Sequence, residues 1–313
     1  AGDGTLVYAE APGGVSIDHT LVWVDRSGRE TTLDLRAATY NTPRISPDGT
    51  RLAVSDGDIW LVDLAHPSAE PTRLTFAREI DWFPVWTPDG RRLVFGSWRG
   101  GALSNLFVQS VEGGTAERLT TSPDGQLPTS ITPDGTSVVF HQLRLGLQRV
   151  RLEPPRTVEP LLETPYEARN GEVSPDGRWL AYEGELAARP GQLDVYVRPF
   201  PDVNAGQWQV SPAGGVQPAW ASDGSELFYR NPDGAVMVAR VAAKGGSFST
   251  EKPVRLFQGP YMKRSGNMGR SYDVSPDGRR FLMLKERAVD PTLPSPHLVV
   301  VQHLDRELKR LAP

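Results

Sequence analysis

Carboxylates recur along this chain at a spacing that invites a chemical reading. Asp48, Asp89, Asp134, Asp176, Asp223 and Asp277 follow one another at intervals of 41, 45, 42, 47 and 54 residues, each directly followed by glycine. Oxygen ligands gathered from several segments could hold a divalent cation, and paired carboxyl groups could exchange protons with a substrate. The neighbouring residues argue for a structural part. In Ser46-Pro47-Asp48-Gly49, Thr87-Pro88-Asp89-Gly90, Thr132-Pro133-Asp134-Gly135, Ser174-Pro175-Asp176-Gly177 and Ser275-Pro276-Asp277-Gly278, proline presets φ, the carboxylate can accept backbone N–H groups and glycine takes positive φ without a clash. Ala221-Ser222-Asp223-Gly224 is a looser copy. These aspartates are expected to shape turns.

Other candidates for chemistry fall short of a complete pattern. Ser55-Asp56-Gly57-Asp58 puts two carboxylates in one turn but lacks the twelve-residue loop and terminal Glu of a calcium site. Glu183 and Glu185 could act as general acid and base, and are expected in a loop after a strand. Gly269-Arg270-Ser271-Tyr272-Asp273 lacks the last glycine of a nucleophile elbow and leads into a strand, so Ser271 reads as structural. His19, His66, His141, His297 and His303 show no metal-ligand spacing, and there is no cysteine to supply a thiolate. No catalytic residue, metal ligand or cofactor is expected.

The elements around the turns are regular. Three residues before each aspartate stands an apolar residue, Ile45, Trp86, Ile131, Val173, Trp220 or Val274. Four residues after it begins a short apolar run, as in Leu52-Ala53-Val54 and Leu93-Val94-Phe95. Third strands follow at Ile59–Val62, Leu106–Val108, Val195–Val197, Val236–Val238 and Leu298–Val301, with the more polar 147–152 serving the third copy. Short fourth strands read Arg73-Leu74-Thr75, Arg118-Leu119-Thr120 and Val254-Arg255-Leu256-Phe257. Strand–turn–strand units of this period are the signature of four-stranded propeller blades. At the N-terminus, Leu6-Val7-Tyr8, Leu21–Val24 and Glu30–Leu33 read as a truncated further unit. An all-β propeller spanning 1–313 as one domain is expected, its ring closed between the first residues and Leu298–Val301. The count favours seven blades; six is the alternative if a terminal hairpin joins a shared blade.

Composition narrows the partners. A net charge of -4 offers no basic face for nucleic acid. No apolar run approaches the roughly 18 residues of a membrane span. The start at Ala1-Gly2-Asp3-Gly4 suggests a piece cut from a longer protein, expected to be monomeric.

The repeats, with Ser-Pro-Asp-Gly followed by Arg-Trp-Leu-Ala-Tyr or Arg-Arg-Leu-Val-Phe after Thr-Pro-Asp-Gly, resemble the TolB-type, WD40-like (PD40) propellers of bacteria. More narrowly, Leu21–Arg26, Val195–Phe200, Glu226–Arg230, Tyr272–Gly278 and Glu307–Leu311 resemble the propeller C-terminal to bacterial serine/threonine kinases. That resemblance implies a non-catalytic sensor or interaction module outside the cytoplasm. No kinase motif is present, and the family offers no ligand-site motif to transfer. The alternative from another class is a lactonase- or lyase-like propeller enzyme with a metal in its channel.

Function then belongs to the mouth of the channel, where loops entering the inner strands meet the turns between second and third strands. The residues expected there to bind a protein, peptide or small ligand are Tyr40, Arg44, Asp81, Trp82, Phe83, Trp98, Arg99, Gln126, Arg169, Asn170, Gln217, Arg270 and Tyr272. Trp82 and Trp98 stand out, because neither occupies the core column and interface hot spots favour tryptophan; the alternative is that they cap the mouth or pack between blades. The longest interval carries a basic insertion over 261–270, which reads first as a tolerated surface excursion and second as a grip for an acidic partner.

Overall fold

The computed structural model describes residues 6–10, 18–164, 168–185, 189–242, 247–263, 269–286 and 297–301. Among them are six four-stranded antiparallel sheets, with the strands of each in the order inner, second, third and outer. Blade 1 comprises Asn41–Ile45, Arg51–Asp56, Asp58–Asp63 and Thr72–Arg73. Blade 2 is built from Asp81–Trp86, Arg92–Ser97, Asn105–Ser110 and Glu117–Arg118, and blade 3 from Gln126–Ile131, Ser137–Gln142, Gly146–Arg151 and Val158–Leu162. Ala168–Val173, Trp179–Glu185, Leu193–Pro199 and Trp208–Gln209 form blade 4; Val216–Trp220, Glu226–Arg230, Val236–Arg240 and Val254–Phe257 form blade 5.

Blade 6 is composite. Its inner pair, Tyr272–Val274 and Arg280–Glu286, comes from late in the chain, and its outer pair, His19–Asp25 and Glu30–Thr32, from the start. The expected seven-bladed ring is therefore corrected to six. Leu21 pairs with Leu284 and Val24 with Phe281, so the strands read as a seventh unit complete the sixth. Leu298–Val301, expected as the third strand of that unit, pairs with the N-terminal strand instead, from Leu6 opposite Val301 to Glu10 opposite His297. The physical reason is edge satisfaction. A unit lacking its innermost strand cannot line a channel, while the open edge of Arg280–Glu286 demands a partner. The expected contact between the two ends forms, but as a separate two-stranded ladder. Glu307–Leu311 lies outside the described residues.

The turns behave as their chemistry requires. Asp48 Oδ1 accepts Ser46 Oγ at 2.5 Å and Thr50 N at 3.0 Å; the same carboxylate bonds recur at Asp89, Asp134, Asp176 and Asp277. Asp223, preceded by Ala221, takes Ser225 Oγ and N instead. Hydroxyl donors first, then amide donors, hold Asp48, Asp89, Asp134 and Asp277 below the ordinary carboxylate range. The glycine after each turn aspartate has φ between 66° and 74°, which a side chain would resist.

Among the described residues six apolar clusters seal the ring, each spanning two adjacent blades. Val85, Val94, Val138 and Phe140 join blades 2 and 3, and Leu21, Leu282, Leu52 and Val54 join blade 6 to blade 1. Sheets packed face to face in this way bury both surfaces of every interior strand. Two tryptophans of the expected core column also latch neighbours by hydrogen bonds. Trp86 Nε1 donates to Arg44 O at 2.9 Å, and Trp220 Nε1 to Glu172 O at 3.0 Å. Between the composite blade and blade 5, Arg26 grips Glu226 with two parallel bonds of 2.8 and 2.7 Å.

Candidate binding face at the channel mouth

The chain enters each inner strand at the mouth and turns at the far end, so every aspartate turn lies away from the mouth. Near their mouth ends the inner strands are bulged. Register shifts fall between Asn41 and Arg44, Trp82 and Val85, Arg169 and Glu172, and Val216 and Ala219. At one equivalent position, six residues before the turn aspartate, Thr42, Phe83, Asn170 and Gln217 have φ of 43°, 60°, 49° and 58°. Left-handed backbone costs an L-residue roughly 1–2 kcal/mol, so the surroundings must hold it. Thr42 Oγ1 meets Ser55 Oγ at 2.9 Å, while Asn170 Nδ2 donates to Glu183 Oε1 and Gln217 N to Glu183 Oε2, both at 2.7 Å. Such bulges re-aim side chains and cluster beside binding sites.

Two residues further along the strands, a charged group lines the channel. Arg44, Glu172 and Asp273 occupy the same position in blades 1, 4 and 6, and Arg270 reaches in beside them. Arg270 pairs with Glu172 and, at 2.6 Å, with Asp273 Oδ1. Asp273 Oδ2 accepts Ile45 N at 2.7 Å, tying blade 6 to blade 1. Burial works against the Arg270 guanidinium, but Glu172 and Asp273 outweigh it and hold its pKa above the ordinary range. Arg44 differs: burial and the neighbouring Arg270 pull it down to about 10, and it donates to the carbonyls of Pro43 and Arg270. The carboxylates of this cluster are engaged by arginine. Among the described residues no three His, Asp or Glu side chains converge as metal ligands.

The residues expected at the mouth divide into several settings. Arg44 and Arg270 are in the channel. Arg169, Asn170 and Gln217 converge on Glu183, with Arg169 Nε 2.7 Å from its Oε1. Glu183 itself is buried within a strand, correcting the expectation of a loop carboxylate paired with Glu185. Tyr272 is buried and donates its hydroxyl to Gln217 O at 2.9 Å, Tyr40 packs in the core between blades 6 and 1, and Gln126 is buried against Thr120 and Gln142. None of these three presents a free side chain to a ligand. Phe83 is also buried; a Cβ on Gly269 would meet Phe83 Cδ1 at 3.0 Å and Thr42 Cγ2 at 3.3 Å, so one sector of the mouth is closed by these groups.

Blade 2 carries the aromatic corner. Trp82 and Trp98, both half-buried, meet edge to face with centroids 5.9 Å apart, and Trp82 makes a second such contact with Phe83. Arg99 lies over the Phe107 ring at 4.9 Å and bonds the fully buried Asp81 at 2.5 Å. The mouth loops of blades 1 to 3 expose Phe76, Ile80, Leu103 and Leu145 by 72%, 44%, 40% and 51%, and Ile80 adjoins the corner through its carbonyl, which accepts Trp98 N at 3.1 Å. Sequence reasoning did not single out these four, nor Glu172, Asp273 or Arg230. A signal for Arg230 existed: seven residues after the turn aspartates stand Ser55, Gly96, His141, Glu183, Arg230 and Leu284, where polar side chains interrupt otherwise apolar strands.

Comparison with known proteins agrees with this architecture. A family model described as the TolB beta propeller domain (PD40) matches residues 22–189. The uncharacterized peptidase YuxL of Bacillus subtilis is 34% identical over 108 residues, which make up 31% of this chain and only 16% of that protein. Among solved structures, a putative TolB from Agrobacterium tumefaciens superposes with a TM-score of 0.66 at 18% identity, covering 88% of this chain and 100% of the other. An oligogalacturonate lyase in complex with manganese gives 0.57 at 16% identity, covering 93% and 86%. At these identities the structural likeness establishes the fold and nothing finer. With more than half of its length matched by that model and the same ring of four-stranded blades, the chain belongs to the TolB beta propeller family.

Proposed function

We propose that this chain is a non-catalytic binding module that takes a protein or peptide partner on the mouth loops of blades 1 to 3, outside the cytoplasm, as the sensor part of a receptor-type bacterial serine/threonine kinase. The observation that carries the binding role is the apolar rim of Phe76, Ile80, Leu103 and Leu145 around the Trp82–Trp98 pair. Grouped large apolar side chains on a soluble surface mark contact sites, and tryptophan and arginine supply most interface hot spots. The rim is tied together locally. Trp98 N donates to Ile80 O at 3.1 Å, and a Cβ on Gly125 would meet Leu143 at 2.8 Å and Leu103 at 3.9 Å. Membership of the TolB family supports protein binding, and the likeness of the motifs in Leu21–Arg26 and Tyr272–Gly278 to kinase-linked propellers supports the receptor context. The engagement of Glu172 and Asp273 by Arg270 weighs against reading the channel as a metal-dependent active site.

The test compares wild-type propeller with a Phe76→Ser, Ile80→Ser, Leu103→Ser variant in quantitative pull-downs from the envelope fraction of the source cell. Capture of the main partner should fall at least about ten-fold, the loss of several buried apolar contacts, while thermal unfolding stays unchanged. Equal capture by both proteins would reject the rim. The receptor context is checked in the gene: an upstream reading frame without a kinase domain and a membrane span would remove it.

A further inference from the structure

Across the ring from the apolar rim, between blades 5 and 6, lies a small cavity of about 180 Å³ on the mouth face. Among the described residues its polar lining is Gln217, Arg230, Asn231, Lys263 and Ser271, with no carboxylate. Arg230, only 3% exposed, closes the second strand of blade 5. Its Nε donates to Gly234 O at 2.8 Å and its Nη1 to Met262 O at 3.4 Å. Nη2 is buried with no hydrogen-bond partner among the described residues. Three other arginines of the mouth are differently placed: Arg99 faces Asp81, Arg169 faces Glu183, and Arg270 faces Glu172 and Asp273.

A second cation converges on the same spot. A Cβ on Gly234, whose φ is +84°, would lie 2.5 Å from Lys263 Cε and 3.1 Å from Arg230 Nη2, so this glycine leaves the room in which the two side chains approach. Neither Arg230 nor Lys263 forms an ion pair among the described residues. The oxygens of two lining amides are already engaged. Gln217 Oε1 accepts both Ser271 N at 3.1 Å and Ser271 Oγ at 3.0 Å, and Asn231 Oδ1 accepts Ala235 N at 2.8 Å. The amide N–H groups of both side chains are the ends left to bond a ligand. A buried guanidinium with an unused N–H carries a desolvation cost that a counter-charge offsets. Burial accordingly pulls the Arg230 guanidinium below its ordinary pKa.

We infer that this cavity is a binding pocket for a small oxyanion, a carboxylate or a phosphate group, held by Arg230 and Lys263 with amide donors from Gln217 and Asn231. The chemistry is shared by the two anions: negatively charged oxygens that accept several N–H bonds at once. The pocket stands independently of the partner-binding rim, because it lies on other blades and its occupant is small.

Calorimetric titration of the whole chain at constant ionic strength tests it, using inorganic phosphate in one arm, succinate in a second and chloride as the control. Saturable binding with a Kd on the order of 1 mM or tighter is expected for at least one oxyanion and not for chloride. The arm that saturates names the ligand class. Lys263→Gln, at an exposed position, should weaken binding about ten-fold, the loss of one charge-assisted contact, and Arg230→Gln should abolish it. If Arg230→Gln fails to fold, Lys263→Gln decides. No saturable binding of either oxyanion by the wild type, or binding unaltered in Lys263→Gln, would overturn the pocket. Neither result touches the apolar rim, whose test uses other residues and a macromolecular partner.

Discussion

Glu183 Oε2 accepts the backbone N–H of Gln217 at 2.7 Å, joining the second strand of blade 4 to the inner strand of blade 5. The other oxygen of the same carboxylate takes Arg169 Nε and Asn170 Nδ2, each at 2.7 Å. One side chain thus supports two bulges whose apices, Asn170 and Gln217, have left-handed backbone. It also neutralises a buried guanidinium.

Replacing Glu183 by alanine should therefore cost about 3–5 kcal/mol, the usual result of stranding one member of a buried ion pair. Urea unfolding would measure it. The double variant Arg169→Ala, Glu183→Ala should lose less than Glu183→Ala alone, because no uncompensated charge remains. A single-variant loss below about 1 kcal/mol would contradict this role.

His141 gives a pH dependence with a definite sign. Burial first, and the nearby Arg169 cation second, lower its pKa from 6.5 to about 4. A folded-state pKa below the unfolded one means that the stabilisation is complete above about pH 6.5 and is lost as pH falls toward 4, about 3 kcal/mol in all. Comparing wild type with His141→Gln isolates the effect, since other titrating groups are common to both. Urea midpoints between pH 7.5 and 4.5 should fall more steeply for wild type. Parallel profiles would show that His141 is not held neutral by the fold.

Ring closure depends on the first strands of the chain. Leu21, Val22, Val24 and Leu33 are buried in the composite blade and its seams, and burying each such side chain is worth roughly 1.5–3 kcal/mol. Removing residues 1–34 should therefore exceed much of the roughly 5–15 kcal/mol stability typical of a domain and leave Arg280–Glu286 with an open edge. Circular dichroism and gel filtration are expected to show loss of cooperative unfolding and association. Adding a synthetic peptide of residues 18–34 should restore a single unfolding transition. A truncated chain that stays monomeric with an unchanged melting temperature would refute the shared blade.

Much of the blade was legible because its signals are local. Pro-Asp-Gly makes the same turn wherever it stands, as the carboxylate bonds at Asp48, Asp89 and Asp134 and the positive φ of Gly49, Gly90 and Gly135 confirm. The apolar residue three before each aspartate closes the inner strand in every blade, buried in five and half-buried at Val274. Blade number was not legible. Leu21–Val24 carries the alternation of any third strand, and only its pairing with Arg280–Glu286 identifies the blade it serves. The settings of the mouth residues were not legible. Arg44 and Arg270 meet beside Glu172 and Asp273, while Tyr40, Gln126 and Tyr272, read as ligand contacts, are buried by packing between blades.

The repeated strand–turn–strand unit and the alternation of its side chains follow from φ preferences and period-two patterning within a few residues, and so are written into the chain locally. Long-range pairing instead makes two distant segments share one blade, and brings Arg44, Glu172, Arg270 and Asp273 together in one channel while Arg230 and Lys263 share another recess. Those groups come from strands and loops far apart along the chain. Closing the ring sets their separations, and the electrostatics of each group depend on the neighbours that closure supplies.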